Sequence, residues 1–144
     1  MYKKYAVLLV IIISTLNTYA QSNIFGKWKS VDDETGEEKS VVEIYKKNGK
    51  AYGKIIKLLG KDHQDATCDK CDDDDPRKDK KVLGMEIIKG LALDDNEWDG
   101  GTILDPEDGK VYKCKMWVKN GKLILRGYIG FSFIGRSQTW LPYK

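Results

Sequence analysis

The sequence predicts an all-β fold, an antiparallel up-and-down barrel of about eight strands. Short runs of β-branched and aromatic residues recur along the chain and are bounded by turn residues. Asn48-Gly49 and Asn120-Gly121 are strong hairpin signals, because both central residues of a type I′ turn need positive φ. Residues 110–118 alternate between polar and apolar side chains, as in a half-buried strand. A barrel of this size is filled by side chains or holds one small ligand.

The first three predicted strands are 25–31, 40–46 and 51–59. Residues 32–36, with the sequence DDETG, and the Asn48-Gly49 pair supply the turns between them. The connections are too short for a crossover, so these strands are expected to form an antiparallel meander.

Residues 60–81 interrupt this pattern and are predicted to form an exposed loop. The stretch has few apolar residues and includes the acidic run from Asp72 to Asp75. Such a composition buries too little surface to offset the entropy lost on ordering. The run lacks the alternate spacing and the glycine of an EF-hand, so we interpret it as a solvated charge run neutralised by the lysines after Pro76.

Residues 82–93 permit two interpretations. The spacing of Leu83, Ile87 and Leu91 suits one short helix near residues 83–91. The adjacent Ile87 and Ile88 and the two glycines of this stretch suit a strand with a bend. We predict a strand for most of it.

The remaining strands are predicted at 97–104, 110–118, 123–129 and 133–141. The Gly100-Gly101 pair marks a bulge or tight bend in the first of these. The alternation of the second places four residues on one face: Tyr112, Cys114, Met116 and Val118.

Residues 1–20 have the pattern of a signal peptide that is removed on export. Lys3 and Lys4 precede an apolar run that fades toward the small residue Ala20. The run is shorter than the ~20 residues of a membrane-spanning helix. We therefore predict no membrane span after its removal, with an uncleaved anchor as the alternative. The protein is expected to be periplasmic or secreted, with residues 21–144 as a single domain.

Charge and motifs exclude several function classes. Removing Lys3 and Lys4 lowers the cationic residues from 25 to 23 against 22 acidic ones, and the formal charge from +3 to +1. Such a chain lacks the basic footprint of a nucleic-acid binder, so no nucleic-acid partner is expected. A single histidine builds no Ser/His/Asp arrangement, and no glycine-rich phosphate loop precedes a helix. No catalytic residue and no cofactor are predicted, and the oligomeric state is left open.

Several motifs of the mature chain are recognisable. They are Gly26-Lys27-Trp28, Tyr52-Gly53-Lys54-Ile55, Gly101 to Pro106, Gly109 to Tyr112, Arg126-Gly127-Tyr128-Ile129-Gly130 and Gly135-Arg136 to Trp140. These stretches resemble the DUF2147 family of uncharacterised exported bacterial proteins and extend over nearly all of the mature chain. The resemblance implies a lipocalin-like barrel and brings no established activity.

A more distant similarity to lipocalins rests on the ends of the chain. Those barrels open with Gly-x-Trp, whose indole packs at one end against an arginine from near the C-terminus. Gly26 and Trp28 match this motif, and Arg126 or Arg136 could supply the arginine by cation–π stacking. The similarity thus implies that Gly26, Trp28, Arg136 and Trp140 close the barrel.

The cysteines permit three kinds of site. A redox pair at Cys68 and Cys71 is disfavoured, because the flanking aspartates would raise the thiol pKa and no helix begins there. With His63 and Cys114 the pair could form a Cys3His zinc site. The third alternative is a structural disulfide, within the loop or from the loop to Cys114. The latter would stabilise the protein by roughly 3 to 4 kcal/mol, but the spacing does not choose among these connectivities.

The leading hypothesis is an exported protein that binds a small apolar or amphipathic ligand in its barrel. The candidate ligand-binding residues are Tyr112, Met116, Arg126 and Tyr128. One alternative is a filled barrel that acts as a structural or interaction module of the cell envelope. Another is loop-based zinc binding through the four residues named above, and an enzyme is the least favoured class. An interior cavity of ~300 Å³ or more would favour ligand binding over the filled barrel.

Overall fold

The structure is a computed structural model and describes residues 23–144, so the predicted signal peptide lies outside the described residues. Eight antiparallel strands close into a barrel in chain order. They are β1 Gly26–Val31, β2 Glu38–Lys47, β3 Lys50–Leu58, β4 Glu86–Asp94, β5 Glu97–Leu104, β6 Val111–Lys119, β7 Lys122–Tyr128 and β8 Gly135–Pro142. The predicted all-β, up-and-down barrel is confirmed. Apart from β4, the strand ends differ from the predicted ones by at most two residues.

Helical structure in the described part is limited to a 3-10 turn, Lys61–His63. Within residues 23–144 no helix has the length and apolarity required to cross a membrane.

The stretch 83–91 contains no helix: Leu83 and Gly84 lie in a turn, and β4 begins at Glu86. Ile88 of β4 pairs with Gly53 of β3 on one side and with Ile103 of β5 on the other. The register between β3 and β4 shifts on both sides of Gly53, and the neighbouring Ile87 and Ile88 are both buried. Such an irregularity breaks the two-residue period of a strand. The spacing of Leu83, Ile87 and Leu91 therefore does not mark one buried face, since Leu83 is exposed in the turn before β4.

One end of the barrel is filled by side chains. It is the end formed by the tight turns between β2 and β3, between β4 and β5, and between β6 and β7. The inward side chains near it are buried together: Trp28, Ile44, Ala51, Leu91, Trp98, Met116 and Leu123. The indole nitrogen of Trp28 donates to the carbonyl of Ile24 at 2.7 Å, so the ring is fixed without an arginine.

The seam between β1 and β8 closes the barrel by two different means. At the filled end, Trp28 pairs with Pro142 and Lys29 with Leu141. At the other end, the Arg136 guanidinium donates to the Asp33 carboxylate at 2.7 Å and to Glu34 at 3.0 Å. Main-chain pairing thus closes one half of the seam and ion pairs close the other.

The implied stacking of an arginine on Trp28 is absent among the described residues. Arg136 lies six residues from Pro142, the partner of Trp28, which places it ~20 Å away along an extended strand. Arg126 donates to the carbonyl of Ser132 and to the hydroxyl of Ser137. Of the four residues implied to close the barrel, Gly26 pairs only with β2, and Trp140 faces the barrel interior beside the seam.

The loop 60–81 folds back over the barrel, which corrects the prediction of a wholly exposed segment. Its charged residues are mostly exposed, but Cys68 and Cys71 are 0% and 2% exposed and join the core as a disulfide. The amide of Cys68 donates to Lys80 and that of Val82 to Ala66, so the two arms of the loop pair with each other. The disulfide supplies apolar surface that the residue composition did not reveal.

Two contacts hold this loop in place. A Cβ atom on Gly109, in the turn between β5 and β6, would lie 1.9 Å from the carbonyl oxygen of Lys70. On the other side, Arg77 donates to both carboxylate oxygens of Asp75 and to the carbonyl of Glu86 in β4. Asp75 is therefore a half-buried anchor of the loop, whereas the other aspartates of the acidic run are exposed.

Replacing Gly109 with alanine should detach the loop. Gly109 and Gly121 have nearly the same φ, +74° and +72°, but only Gly109 has backbone atoms where the Cβ would lie. We expect Gly121→Ala to lower the free energy of unfolding by about 1 kcal/mol, the cost of a positive φ. Gly109→Ala should cost at least ~2 kcal/mol more, because backbone must move. Urea unfolding measures both changes, and an equal loss of unfolding free energy in the two variants would contradict the close contact between Gly109 and Lys70.

Replacing Asp75 with asparagine should remove a pH-dependent part of the stability. Hydrogen bonds from Arg77 lower the pKa of Asp75 to about 2. A lowered pKa stabilises the fold above the ordinary value of 3.8, and this contribution is lost as the pH falls toward 2. Asp75→Asn should therefore cost about 1 to 2 kcal/mol at pH 7 and less than about 0.5 kcal/mol at pH 2, where the carboxylate of the folded protein is half protonated, as measured by urea unfolding. The control Asp73→Asn, at a side chain 99% exposed, should change little at either pH.

Candidate ligand cavity

A cavity of about 600 Å³ occupies the end of the barrel opposite the filled one. It is bounded by the connections between β1 and β2, between β3 and β4, and between β5 and β6. Residues of the loop 60–81, called the disulfide loop below, form part of the cavity wall, among them Ala66, Thr67 and Lys70. The interior of this barrel is therefore filled at one end and hollow at the other.

The deep part of the cavity is apolar. Five strands and the residue that follows the loop 60–81 supply the wall: Ile55, Val82, Ile87, Ile103, Leu104, Leu125 and Trp140. These side chains are buried or half-buried, as expected of positions that face the interior of a barrel. Gly127 continues the inward face of β7 after Leu125, and its lack of a side chain leaves space beside Tyr112.

A pair of buried serines lies in the wall at β1 and β2. The hydroxyls of Ser30 and Ser40 are 2.8 Å apart, and the Ser40 amide donates to the Ser30 hydroxyl at 3.1 Å. Both residues are inward-facing, two positions from Trp28 and Val42 respectively. Ser30 and Ser40 were not among the predicted site residues. The alternation along each strand would identify them as polar residues on an apolar face.

A second polar group lies at the connection between β5 and β6. The Tyr112 hydroxyl donates to Asp108 at 2.6 Å, and this hydrogen bond, with burial, raises the pKa of Tyr112 to about 12. Burial also raises the pKa of Asp105, and the nearby Asp108 and Glu107 carboxylates add to the effect. Asp105 accepts a hydrogen bond from the Glu107 amide at 2.9 Å. Asp105 is therefore a partly desolvated carboxylate at the cavity edge.

The mouth of the cavity carries an excess of negative charge. Seven carboxylates line the cavity: Asp32, Glu37, Glu38, Asp69, Asp105, Glu107 and Asp108. Three cations face them: Lys39, Lys70 and Arg136. Lys39 pairs with Glu37 at 2.9 Å and with Glu107 at 3.2 Å, and Arg136 pairs with acidic residues of the turn after β1. A ligand at this mouth would meet a negative potential.

The structure separates the four predicted ligand-binding residues. Tyr112 lines the cavity, while Met116 faces inward but is fully buried in the filled end. Arg126 and Tyr128 lie on the outer face of β7, because they alternate with the inward Leu125 and Gly127. The chemistry of Arg126 and Tyr128 suggests a ligand contact, but the alternation along the strand, which the sequence also contains, places both outside the cavity.

The predicted cysteine and histidine set does not assemble into a metal site. Cys68 and Cys71 are joined in the local disulfide, and Cys114 is a free, buried cysteine of β6 whose thiol pKa is raised by burial. His63 is exposed at the edge of the cavity. Among residues 23–144 no group of three or more histidine, cysteine or acidic side chains is placed to hold a metal ion. The zinc hypothesis and the bridge from the loop to Cys114 are thus not supported.

Comparisons with known proteins find a matching family and a similar solved structure. The model of a family described as uncharacterized protein conserved in bacteria, DUF2147, matches residues 26–141. A solved structure, protein HP1028 from Helicobacter pylori, is similar with a TM-score of 0.71 over 85% of this chain and 84% of that one. That protein belongs to the lipocalin family, and at 21% sequence identity the likeness establishes a shared barrel. No curated protein matches the sequence.

Proposed function

The chain belongs to the DUF2147 family, and from this premise we propose that it is an exported protein that binds a small amphipathic ligand inside its barrel. The observation that carries the proposal is the cavity of about 600 Å³. Small-molecule sites in proteins typically measure ~300–1,000 Å³ and are mostly apolar with a few polar groups. The cavity of this barrel has the required size, and its deep part is apolar, with the charged residues at its mouth.

The cavity wall accommodates the apolar part of such a ligand. Ile103, Leu125 and Trp140 belong to different strands and all line the deep part of the cavity. Burial of apolar surface against them would stabilise the complex by about 25 cal/mol per Å² removed from water. The wall offers no charge at this depth, so the ligand's inner portion is a hydrocarbon or aromatic group.

The mouth favours a ligand whose polar end is neutral or cationic. The Ser30 and Ser40 hydroxyls can donate or accept, and Asp105 accepts. A cationic or hydroxyl group near Asp105 would compensate the desolvation that raises its pKa. An anionic group would be repelled by the seven carboxylates of the cavity. The ligand class is therefore an alcohol, amide or amine with an apolar body.

Export is part of the proposal, and two features support it. Residues 1–20 have the basic, apolar and small-residue order of a signal peptide. The Cys68–Cys71 disulfide is typical of proteins that mature in an oxidising compartment such as the periplasm or the extracellular space.

Native mass spectrometry of protein purified from its own host tests ligand and export together. We expect a chain that begins near Gln21, contains one disulfide and carries an additional small-molecule mass that is lost on activation. The apolar cavity should retain this ligand through gentle purification. A bare chain that begins at Met1 would contradict both parts of the proposal, and a bare chain that begins near Gln21 would contradict ligand binding alone.

Filling the cavity should weaken binding of the neutral fluorescent probe N-phenyl-1-naphthylamine. A Cβ at Gly127 would lie 3.6 Å from Tyr112, an ordinary contact, so Gly127→Leu adds volume inside the cavity without a backbone clash. We expect the Gly127→Leu variant to bind the probe about tenfold or more weakly than the wild type. Thr139→Leu adds the same side chain at an exposed position of β8 and should leave the affinity unchanged.

Two results would contradict the assigned site. One is equal probe affinity of the Gly127→Leu variant and the wild type, with circular dichroism showing both folded. The other is tighter binding of the anionic relative, 1-anilinonaphthalene-8-sulfonate, which the carboxylates of the mouth should disfavour.

A further inference from the structure

The loop between β7 and β8 exposes a cluster of large apolar side chains. Ile129, Phe131, Phe133 and Ile134 are 69%, 67%, 76% and 60% exposed. No charged residue occurs from Ile129 to Gly135. Single exposed apolar residues are normal at a protein surface, but four on one short loop mark an interaction site.

The loop is organised and does not cover the cavity. The rings of Phe131 and Phe133 stack with centroids 5.5 Å apart and planes 10° apart. The Ile134 amide donates to the Phe131 carbonyl at 3.0 Å, which closes the turn beneath the rings. None of residues 129–134 lines the cavity. The two rings thus form a solvent-facing apolar tip at the mouth end of the barrel.

Two cations flank this tip on the outer face of the barrel. The Lys113 ammonium lies 3.4 Å from the carbonyl of Gly130, and Arg126 donates to the carbonyl of Ser132. Neither residue forms an ion pair with an acidic residue in the described part of the chain. Their charges are therefore available to an external anion.

We propose that this loop docks the barrel onto an anionic lipid bilayer. Phe131 and Phe133 enter the boundary between headgroups and acyl chains, and Lys113 and Arg126 face the lipid phosphates. Apolar insertion combined with attraction to anionic lipids is the usual basis of such interfacial binding.

The acidic side of the mouth is only partly compensated. Arg136 pairs with Asp33 and Glu34, and Lys39 pairs with Glu37 and Glu107, so two cations offset two of these four negative charges. Docking therefore requires that the loop, with Lys113 and Arg126 beside it on the outer face, lies nearer the bilayer than the carboxylates of the mouth. The inference is independent of the proposed ligand, because it concerns the outer surface of the barrel alone.

Flotation with lipid vesicles tests the proposal. The chain from Gln21 onward contains all eight strands, and its use removes the apolar N-terminal run, which would itself bind lipid. Vesicles of phosphatidylcholine containing about a third phosphatidylglycerol are compared with vesicles of phosphatidylcholine alone. We expect the protein to float with the anionic vesicles and much less with the neutral ones.

The variant Phe131→Ser/Phe133→Ser should lose vesicle binding about tenfold or more, because it removes the inserted surface. Leu93→Ser is the matched control. Leu93 is 52% exposed near the turn between β4 and β5, at the opposite end of the barrel, and its replacement should leave flotation unchanged.

A tryptophan at position 133 reports insertion directly. Three of the four native tryptophans, Trp28, Trp98 and Trp140, are buried, so the emission of the Phe133→Trp variant is distinguishable by difference from the wild type. We expect this added emission to shift to the blue on anionic vesicles and to be quenched by brominated acyl chains.

Four outcomes would overturn the proposal. They are no flotation of the wild type, undiminished flotation of the double serine variant, equal flotation with both vesicle types, and no quenching of the added tryptophan. A dimer in solution that the double serine variant abolishes, in the absence of vesicle binding, would instead assign the loop to a second copy of this chain.

Discussion

The fold depends on the pairing of its first and last strands. A sheet of eight strands that did not close would expose two unpaired edges, which are sites of aggregation. Here β1 and β8 pair through only two residue pairs at the filled end, and the rest of the seam is joined by the ion pairs of Arg136. The half of the seam that lacks main-chain pairing is also the half that borders the cavity. The way in which the barrel closes is therefore linked to the position of its hollow end.

The two ends of the barrel differ because their connections differ. Tight turns such as Asn48-Gly49 bring bulky inward residues together and leave no room between them. At the other end the connections are longer, and a disulfide loop stands over the opening where a further layer of side chains would otherwise lie. The small residues Ser30, Ser40 and Gly127 keep that space free.

Most of the fold could be predicted from the sequence, because turn chemistry and alternation are local signals. Asn120-Gly121 defined one hairpin, and the alternating face of β6 placed Tyr112 and Met116 inside. The burial of Cys68 was not predictable, since it depends on a contact with the turn at Gly109 far along the chain. The adjacent buried Ile87 and Ile88 likewise result from a register shift that no local pattern encodes.

The candidate site was less predictable than the fold. A cavity is a space that side chains leave empty, so no sequence motif marks it. The buried serines of its wall can be identified only from their position on an apolar strand face. Arg126 and Tyr128 show the opposite case, in which conspicuous residues suggested a site but lie outside it.

The close approach of Gly109 to the backbone of Lys70 also bears on how this protein can change over evolutionary time. The backbone of Lys70 occupies the place where a side chain on Gly109 would lie. For this reason neither the turn at Gly109 nor the loop at Lys70 can accept an insertion or a bulkier residue unless the other shifts with it. The turn between β5 and β6 and the disulfide loop are therefore inherited as one unit. Diversity in what the cavity accepts is then expected on the opposite side of its mouth, where the turn after β1 is joined to β8 by side-chain ion pairs of Arg136 and not by a close contact between backbones.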